Sequence, residues 1–550
     1  MKKKKWIFLP EKSENIIEQL LYNRHVLKKD WANFIEPDFE NGLHDPFLLE
    51  GMSEAVERLA QAIVNNETVG IFGDYDADGI PASALLSNLF EAHGLNNVIY
   101  IPLREEGYGL NKKGIDHLRS LGASVLITVD LGIREIENTK YARSLGMDVI
   151  ITDHHEPGEN IPDTFAVINP KRKNSPYPFR ELSGGGVAFK LAQAMSEKLK
   201  VVKANDLKWM LDLVGITTIC DVVPLIDENR IFAKFGLLVL EKTKRLGLVS
   251  LYKAAEINNK NITTYTVGYQ IGPRLNAPGR LNQNQESLEL LLAKDKEKAE
   301  FLASELNDIN KKRQDDLEKI YIEARTQVVD KKLNEKKVIL VSSKNWSSGL
   351  IGLVAGRLTE EFVRPVIVLD YGKEFSKGSA RSIDNFNIVE VLEDCKDLLE
   401  SFGGHARAAG LTLKNENINL LYGRLLGIAD KKLTDEDLIP KIKIDKVLEI
   451  SDLSFKLIDE LKKLEPYGLG NSRPVFVVKN IVTESIRCIG VGGKHMKFSI
   501  GMVDVIAFNM GAVAAEITNK KIDIAFTLDE NIWNDDKKIQ MKVVDIKLSE

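Results

Sequence analysis

The chain has 550 residues, a formal net charge of −5 at pH 7, and 44% hydrophobic and 28% charged residues. This length exceeds what one hydrophobic core supports, so we expect about three or four domains in a globular protein. No segment approaches the roughly 18 uninterrupted apolar residues of a membrane helix, and the apolar run at residues 6–10 is shorter than that of a signal peptide. The composition therefore argues against a membrane protein and against a secreted one.

Three widely spaced cysteines lack the spacing of a metal site or a disulfide framework, which predicts a cytoplasmic protein. The modest negative charge does not by itself indicate a nucleic-acid-binding protein. Residues 331–381 nevertheless carry ten Lys and Arg against five Asp and Glu. An ordinary basic surface explains that local excess equally well.

Between about residues 54 and 170, short apolar runs alternate with helical stretches. The runs are VGIF (69–72), NVIYI (97–101), SVLITV (124–129), DVIIT (148–152) and FAVIN (165–169). Strands of this length that alternate with helices of one to three turns are typical of a parallel, doubly wound α/β sheet. Residues 180–255 are predicted to be mainly helical.

The longest helical candidate spans residues 285–332, where apolar residues recur at steps of three and four on a charged background. A coiled-coil segment for a partner chain is one interpretation. A rigid connector between two domains is favoured, because a second α/β pattern begins at once and continues over residues 336–430. From about residue 440, short β-like segments bounded by Gly, Asn and Asp predict a small β-barrel. The predicted fold class is α/β, with a doubly wound parallel-sheet domain, a long helix, a second α/β domain and a C-terminal β-barrel.

Acidic side chains and histidines follow three of the predicted strands of the first sheet. Asp74, Asp76 and Asp78 come directly after VGIF, Asp130 follows SVLITV, and Asp153-His154-His155 follows DVIIT. A single Asp in such a place is often a helix N-cap. Ligands of doubly wound sheets, however, bind outside the carboxyl ends of the strands. We therefore expect the three clusters to lie together at one edge of the sheet.

Several carboxylates and imidazoles in one crevice require cations. Oxygen-rich ligand sets with one or two nitrogens favour Mn²⁺ or Mg²⁺ over zinc. There are enough ligands for two ions, with Asp130 as a possible bridge between them. Two ions about 3.5–4 Å apart are the usual apparatus of phosphoester hydrolysis, because they activate a shared water and stabilise the attacking and leaving oxygens.

An ordered set of motifs covers nearly the whole chain. The motifs are GDYDADG (73–79), TVDLGI (128–133), TDHHEP (152–157), ICDVVPL (219–225), PRLNAPGRL (273–281), GSARS (378–382) and GGHARAAG (403–410). With this set the chain resembles the DHH phosphoesterase superfamily and, within it, the RecJ single-strand-specific exonucleases. The resemblance implies an N-terminal segment packing on the catalytic core (1–52), a DHH catalytic domain (53–284), a connector helix (285–332), a substrate-binding DHHA1 domain (333–435) and a nucleic-acid-binding OB-fold (436–550).

The resemblance also implies roles for individual residues. The implied metal ligands are Asp76, Asp78, Asp130, His154 and Asp221, with Asp74 either a ligand or a neighbour of the ligands. The implied catalytic residues are His155, which would contact the scissile phosphate, Asp130 and Arg280. The implied substrate-binding residues are Arg104, Tyr108, Arg274, Arg280, Arg381, Gly404, His405 and Arg407, of which Arg104 and Arg280 would hold a 5′-terminal phosphate. The aromatic candidates for base stacking in the barrel are Phe476, Phe498, Phe508 and Trp533.

The activity implied by the resemblance is 5′→3′ hydrolysis of single-stranded DNA to nucleoside 5′-monophosphates with two Mn²⁺ or Mg²⁺ ions, in DNA repair and recombination. A cleft too narrow for duplex would select single strands. The expected partners of this monomeric chain are single-stranded DNA and a single-strand-binding protein, without a membrane.

Two alternatives remain open. A DHH-type phosphodiesterase would act on short oligonucleotides or cyclic dinucleotides, but the connector, the barrel and the chain length argue against it. A catalytically inactive nucleic-acid-binding protein would not need the complete acidic set.

Overall fold

The computed structural model describes residues 4–200, 202–280, 284–483, 485–533 and 536–549. In chain order the strands are β1 (Lys5–Phe8), β2 (Thr68–Gly73), β3 (Asn96–Tyr100), β4 (Ala123–Val129), β5 (Asp148–Thr152), β6 (Ala166–Ile168), β7 (Ile339–Ser343), β8 (Val366–Tyr371), β9 (Phe375–Arg381), β10 (Ser401–His405), β11 (Ala408–Lys414), β12 (Lys441–Ile444), β13 (Lys446–Val447), β14 (Phe476–Val482), β15 (Arg487–Ile489), β16 (His495–Ile500), β17 (Val503–Ala507), β18 (Lys521–Trp533) and β19 (Asp536–Leu548).

The α-helices are α1 (Ile16–Asn23), α2 (Trp31–Ile35), α3 (Met52–Val64), α4 (Gly79–Ala92), α5 (Lys112–Ser120), α6 (Ile136–Ser144), α7 (Gly184–Leu199), α8 (Ala204–Leu207), α9 (Leu211–Cys220), α10 (Asp227–Lys242), α11 (Leu246–Ala254), α12 (Gly272–Asn276), α13 (Gln285–Leu292), α14 (Lys296–Asp330), α15 (Ile351–Phe362), α16 (Ile388–Glu393), α17 (Ile418–Lys432), α18 (Phe455–Lys462) and α19 (Ala514–Ile517). A π-helical segment, Thr266–Ile271, leads directly into α12. No helix among the described residues is both long enough and apolar enough to cross a membrane.

The chain divides into two compact units, and the division falls inside α14. The small unit comprises residues 1–9 and 311–444, and the large unit comprises residues 10–310 and 445–550.

The first sheet of the large unit has five parallel strands in the order β3-β2-β4-β5-β6. Alternate strand residues enter two different cores, so that Ile71 and Ile127 face α3, α4 and α7 while Phe72 and Leu126 face α5 and α6. The sheet is therefore covered on both faces, and the prediction of a doubly wound parallel sheet is confirmed. The strand order reverses between β2 and β4, which places the ligand-binding crevice of such folds at the carboxyl ends of these two strands.

The second sheet of the large unit contains the C-terminal strands in the order β13-β14-β18-β19-β17-β16-β15, with mixed parallel and antiparallel pairs. The β-like segments predicted after residue 440 overlap strands β14 to β19, and the first of them, residues 474–490, contains both β14 and β15. The rings of Phe476 and Phe526 lie at the centre of its core.

The small unit is built on a five-stranded sheet in the order β10-β11-β9-β8-β7. The strands β7 and β8 are parallel, and the other neighbours are antiparallel. Helix α15 packs on one face of this sheet through Val354, Ala355 and Leu358. Strand β1 belongs to this unit, where it forms a parallel pair with β12.

Two expectations need correction. The helix predicted over residues 285–332 is interrupted between α13 and α14, because Ala293 is extended and the Asp295 carboxylate accepts from the Lys298 N–H at 2.8 Å, which begins a new helix. The segment 1–52 packs on the first sheet domain only in part, through Phe39, Leu43, Phe47 and Leu49. Strand β1 pairs instead with β12, and Leu20, Leu21 and Phe34 enter the core of the C-terminal sheet.

Candidate metal centre

Three aspartates continue the parallel ladder just beyond the strand ends. The Asp74 N–H donates to the Val129 carbonyl at 3.2 Å, the Asp130 N–H to Thr152 at 3.0 Å, and the Asp153 N–H to Ile168 at 3.1 Å. Each aspartate is thus held by the last residues of the neighbouring strand. These backbone hydrogen bonds place the three clusters at one edge of the sheet, as predicted.

The Asp78 carboxylate faces the N-terminus of α7. Its two oxygens accept from the Gly184 N–H at 2.7 Å and the Gly185 N–H at 2.8 Å, and the helix dipole adds to this stabilisation of the anion. Glycine is required at residue 184, because a Cβ there would lie 2.6 Å from Asp130 Oδ1. The Gly-rich start of α7 therefore brings Asp78 and Asp130 together.

The acidic atoms surround His154. Its Nε2 lies 3.1 Å from Asp130 Oδ1, 3.6 Å from Asp221 Oδ2 and 3.8 Å from Asp78 Oδ2. Asp221 reaches this position from the C-terminal end of α9, where its N–H donates to Thr217. A helix end and three strand ends therefore converge on one point.

Ionisation of these carboxylates is opposed inside the apoprotein. Burial, followed by repulsion from neighbouring carboxylates, raises the pKa values of Asp74, Asp78 and Asp130 well above their usual range. Burial and the Asp76 charge raise the pKa of Asp221 to about 7. Burial lowers the pKa of His154 to about 3, so its imidazole is neutral near pH 7 and has a lone pair available.

The donor set fits divalent cations. Asp130 Oδ1 and His154 Nε2 are buried and 3.1 Å apart, yet neither has a hydrogen-bond partner among the described residues. Ligand atoms fall into the groups Asp78, His154, Asp221 and Asp74, Asp76, Asp130, and within each group they lie within 4.8 Å of one another. Asp130 touches both groups. Buried acceptors that face one another without a proton or cation between them are unfavourable, and two hard cations would satisfy them.

His155 lies on the accessible side of the cluster. Its Nδ1 lies 2.8 Å from Asp153 Oδ1, whose carboxylate also accepts the N–H groups of Ile133, His154 and His155. Burial opposes a charge on His155, but the bond to Asp153 and the charges of Asp153, Asp221 and Asp74 together outweigh burial and raise the pKa of the imidazole. The Tyr108 hydroxyl lies 3.3 Å from His155 Nε2. The structure thus brings Tyr108 and His155 together, although they are 47 residues apart in the sequence.

Two of the predicted arginines of the large unit, Arg104 and Arg280, approach the acidic loop (residues 74–78), and the third, Arg274, bonds to neighbouring helices. The Arg104 guanidinium lies 5.7 Å from the Tyr75 ring centre. Burial raises the pKa of the Tyr75 hydroxyl, and the charges of Arg104 and Arg280 act against that rise. The Arg274 guanidinium instead donates to Asn307 Oδ1 at 3.0 Å and to the Gln270 carbonyl at 2.7 Å. Arg274 therefore fastens α12 to α14.

The predicted residues of the small unit share one end of its sheet. Arg381 ends β9 opposite Ala408, and Ala408 pairs on its other side with His405. Gly404 has φ +146° and no room for a Cβ, which would lie 2.3 Å from the Ala408 carbonyl oxygen. Arg407, in the turn between β10 and β11, forms an ion pair with Asp384.

Two of the four aromatic candidates in the C-terminal sheet are unsuitable for base stacking. Phe476 and Phe498 are buried in its core, where the alternation of strand residues points them inward. Phe508 is half exposed and packs edge-on against His495. The side chain of Trp533 and the last residue of the motif at 273–281 lie outside the described part of the structure.

Three positioning residues were not predicted. Asn276 accepts the Ala77 N–H at 2.8 Å and so holds the acidic loop against α12. Gly184 and Gly185 supply the N–H groups that bind Asp78. The run SGGGV before α7 is the sequence signal for the glycines, because a glycine-rich helix start permits close approach of an anion.

Three family models match the chain. They are the DHH family N-terminal domain over residues 68–217, the DHHA1 domain over residues 334–425 and the RecJ OB domain over residues 444–545. The fold and the acidic edge are therefore those of a DHH protein with a RecJ-type OB domain.

Comparison with individual proteins identifies the family to which the chain belongs within this class. The chain is 42% identical over 543 residues to the single-stranded-DNA-specific exonuclease RecJ of Bacillus subtilis (strain 168), a match that covers 97% of this chain and 68% of that protein. It is 32% identical to RecJ of Escherichia coli (strain K12), with 90% of each chain covered. The crystal structure of RecJ in complex with Mn²⁺ from Thermus thermophilus has a TM-score of 0.85 at 28% identity, covering 99% of this chain and 80% of that one. The Mg²⁺ complex of RecJ from the same organism has a TM-score of 0.78. The chain belongs to the RecJ family of single-stranded-DNA-specific exonucleases.

Proposed function

We propose that this protein is a 5′→3′ exonuclease that hydrolyses single-stranded DNA to nucleoside 5′-monophosphates and acts in DNA repair and recombination. The observation that carries the proposal is the pair of facing acceptors, Asp130 Oδ1 and His154 Nε2, inside a ring of carboxylates. A nucleic-acid-binding protein without catalysis would have no need for this arrangement. Membership of the RecJ family favours long single strands over short oligonucleotides or cyclic dinucleotides.

The proposed ligands are Asp76, Asp78, Asp130, His154 and Asp221, together with Asp74. Mn²⁺ or Mg²⁺ ions bound there would supply an activated water and offset the charge that develops on the phosphate. The chain itself orients these ligands through β2, β4, β5 and α9. His155, held by Asp153, would donate a hydrogen bond from Nε2 to a phosphate oxygen, and the Tyr108 hydroxyl would support it.

The preference for a 5′ end is assigned to Arg104 and Arg280. The positive charges of both guanidiniums act to lower the pKa of the Tyr75 hydroxyl. In the sequence, Tyr75 stands between the proposed ligands Asp74 and Asp76. A terminal phosphate carries more negative charge than an internal one, so a pair of guanidiniums favours it. Arg381, Gly404, His405 and Arg407 are proposed to contact the strand backbone through the end of the small unit's sheet.

Digestion of end-labelled strands tests this proposal. We expect a single strand with a 5′ label to release labelled mononucleotide before one with a 3′ label, in the presence of Mn²⁺ but not after chelation. Duplex DNA should resist, and a strand with a 5′-hydroxyl should be cut more slowly than one with a 5′-phosphate. Earlier release of the 3′ label would refute the polarity. Cleavage of dinucleotides with survival of long strands would favour the alternative phosphodiesterase.

A pair of exposed tyrosines is expected to hold bases of the strand. Tyr265 and Tyr269 are 62% and 69% exposed, and their rings stack at 4.9 Å between centres. Tyr269 lies on the π-helical segment and Tyr265 directly precedes it. The Val267 carbonyl of this segment is 3.9 Å from Cys220 Sγ, next to Asp221. Base stacking on aromatic rings contributes about 1–3 kcal/mol per base, so replacing both tyrosines by Ala should weaken binding of an oligothymidylate about 10-fold or more. Fluorescence polarisation without activating metal measures the affinity.

The matched control for the tyrosine pair is Trp209→Ala. Trp209 is also half exposed on the large unit, but it lines a separate groove with Phe235 and Leu238. We expect its replacement to leave strand affinity unchanged. Equal affinities for the tyrosine variant and the unaltered protein would remove the stacking assignment without affecting the metal centre.

A cytoplasmic location, a monomeric state and a single-strand-binding protein as partner remain predictions. The free thiols of Cys220, Cys395 and Cys488 support a reducing compartment.

A further inference from the structure

The loop that follows Asp221 is strained. Val222 has φ +59°, a left-handed conformation that a β-branched residue strongly disfavours, and its side chain is 63% exposed. The Val222 N–H donates to Ile219 at 3.3 Å, a single weak tie to α9. Backbone strain of this kind persists only where the surrounding structure holds it in place. Contacts from the surrounding structure must therefore keep the loop in this conformation. If the loop relaxed, Asp221, which directly precedes Val222, would move as well.

One such contact within the large unit is the bond from the Asn229 side chain to the Pro224 carbonyl at 3.1 Å. A second comes from the segment Leu464–Asn471, with the sequence LEPYGLGN, in the C-terminal domain. The Leu225 N–H donates to the Leu469 carbonyl at 2.7 Å. Gly468 and Gly470 lie directly against the loop, since a Cβ on Gly468 would be 2.7 Å from Leu225 Cδ1, and one on Gly470 would be 3.2 Å from Pro224 Cβ. Glycines at these two positions allow the segment to pack closely against side chains of the loop.

The segment is itself fixed to the DHH domain on its other side. The Arg230 guanidinium, fully buried in α10, donates to the carbonyls of Leu464, Lys463 and Glu465 at 3.0–3.2 Å. The Thr264 hydroxyl donates to the Tyr467 carbonyl at 3.0 Å.

Inside the segment, the buried Asn471 amide donates to the carbonyls of Leu464 and Pro466 at 2.7 and 2.9 Å. These bonds hold the segment as one closed turn. A rigid turn of one domain thus presses on the metal-ligand loop of the other.

We propose that the segment Leu464–Asn471 is a brace that holds Asp221 in its ligating position and so sets the cation affinity of the metal centre. The brace residues position a ligand and do not touch the cation or the substrate. The inference rests on the proposed role of Asp221 as a ligand. It makes the C-terminal domain a structural part of the metal centre, in addition to any role in holding DNA.

Gly470→Ala tests the brace. The new methyl group would press on Pro224 and on Ile226 Cγ2, 3.3 Å away, and φ +76° disfavours any side chain at residue 470. We expect the full-length variant, without DNA, to bind Mn²⁺ about 10-fold more weakly, since loss of support around metal ligands costs about 10–100-fold in affinity. Titration with Mn²⁺ followed by electron paramagnetic resonance measures this directly. Circular dichroism shows that the variant is folded at the temperature of the titration.

Two further variants keep the test decisive. Gly423→Ala is the matched control, because a Cβ on that exposed helical glycine meets nothing within 4 Å, and it should leave Mn²⁺ affinity unchanged. Thr264→Val removes only the bond to Tyr467 and should weaken Mn²⁺ binding about threefold. Identical Mn²⁺ affinities for Gly470→Ala, Thr264→Val and Gly423→Ala would overturn the proposal.

The strain at Val222 provides a second readout. Glycine adopts φ +59° without cost, so a loop with Val222→Gly should depend less on the brace. We expect Gly470→Ala to weaken Mn²⁺ binding less than about threefold in the Val222→Gly background. A full 10-fold loss in that background would place the effect outside the loop and refute the brace.

Asp221→Asn separates this inference from the proposed function. If Asp221→Asn leaves Mn²⁺ binding unchanged, the ligand assignment fails, and the brace fails with it. If Asp221→Asn weakens Mn²⁺ binding while Gly470→Ala does not, the brace alone is wrong and the metal centre stands.

Discussion

Replacement of Asp130 by Asn should reduce hydrolysis of single-stranded DNA about 10³-fold or more, while strand binding is retained. Asp130 belongs to one group of ligand atoms and lies 3.1 Å from His154 of the other, so its loss removes a charge that both cations would share. Loss of several kcal/mol of transition-state stabilisation corresponds to about this factor, since about 4 kcal/mol is 10³-fold in rate. Single-turnover hydrolysis of a 5′-labelled strand measures the rate, and fluorescence polarisation measures the binding.

The fold should survive this change. Asp130 has φ +65°, and Asn is among the few residues that tolerate this conformation. The Asp130 N–H that bonds to Thr152 is also unaffected. Asp459→Asn is the control, because it removes the same charge from an exposed helix position, where among the described residues the carboxylate pairs with Lys462 at 3.7 Å. Unchanged hydrolysis by Asp130→Asn would refute the proposed metal assignment.

The second large effect is expected from Gly184→Ala. The added methyl group would lie 2.6 Å from Asp130 Oδ1 and 2.7 Å from its Cβ and Cγ, and the start of α7 cannot retreat without releasing Asp78. Overpacking of this kind costs about 1–3 kcal/mol of stability. Displacement of a catalytic group by about 1 Å lowers rates about 100-fold, so we expect hydrolysis to fall at least that far. Thermal unfolding and strand digestion measure the two effects.

Gly186→Ala gives a matched comparison two residues further along α7. A Cβ on Gly186 would make ordinary contacts of 3.4–3.5 Å with Leu182 and Ser183. Ala is favoured over Gly within a helix by about 0.5–1 kcal/mol, so this variant should be slightly more stable and fully active. Equal activity of the two Ala variants would show that α7 does not position the acidic site.

Much of the metal centre could be predicted from the sequence. Asp74, Asp130 and His154 follow apolar runs of one parallel sheet, and the direction of parallel strands places such residues at one edge. The resemblance then implied a ligand set with Asp74 left open as either a ligand or a neighbour, namely Asp76, Asp78, Asp130, His154 and Asp221. The alternation of strands and helices was sufficient for the fold class, because periodicity along the chain reflects which faces are buried.

Other features depend on contacts between distant segments, and local pattern does not reveal them. Arg274 occurs in a motif with Arg280, yet its guanidinium bonds to Asn307 of α14. Phe476 and Phe498 belong to a predicted nucleic-acid-binding domain, but strand register turns both rings into the core. The interruption at Ala293 depends on a cap from Asp295 that helical periodicity does not show.

The sequence by itself determined that Asp74, Asp130 and His154 reach the acidic edge, because each follows its own strand end, whereas Asp221 was implied only by the resemblance. Only the tertiary structure decided how that edge is held. The α7 N-terminus binds Asp78, and the LEPYGLGN segment supports the loop after Asp221. These partners lie far apart in the chain. Their proximity arises from packing of whole elements, which neither composition nor spacing encodes.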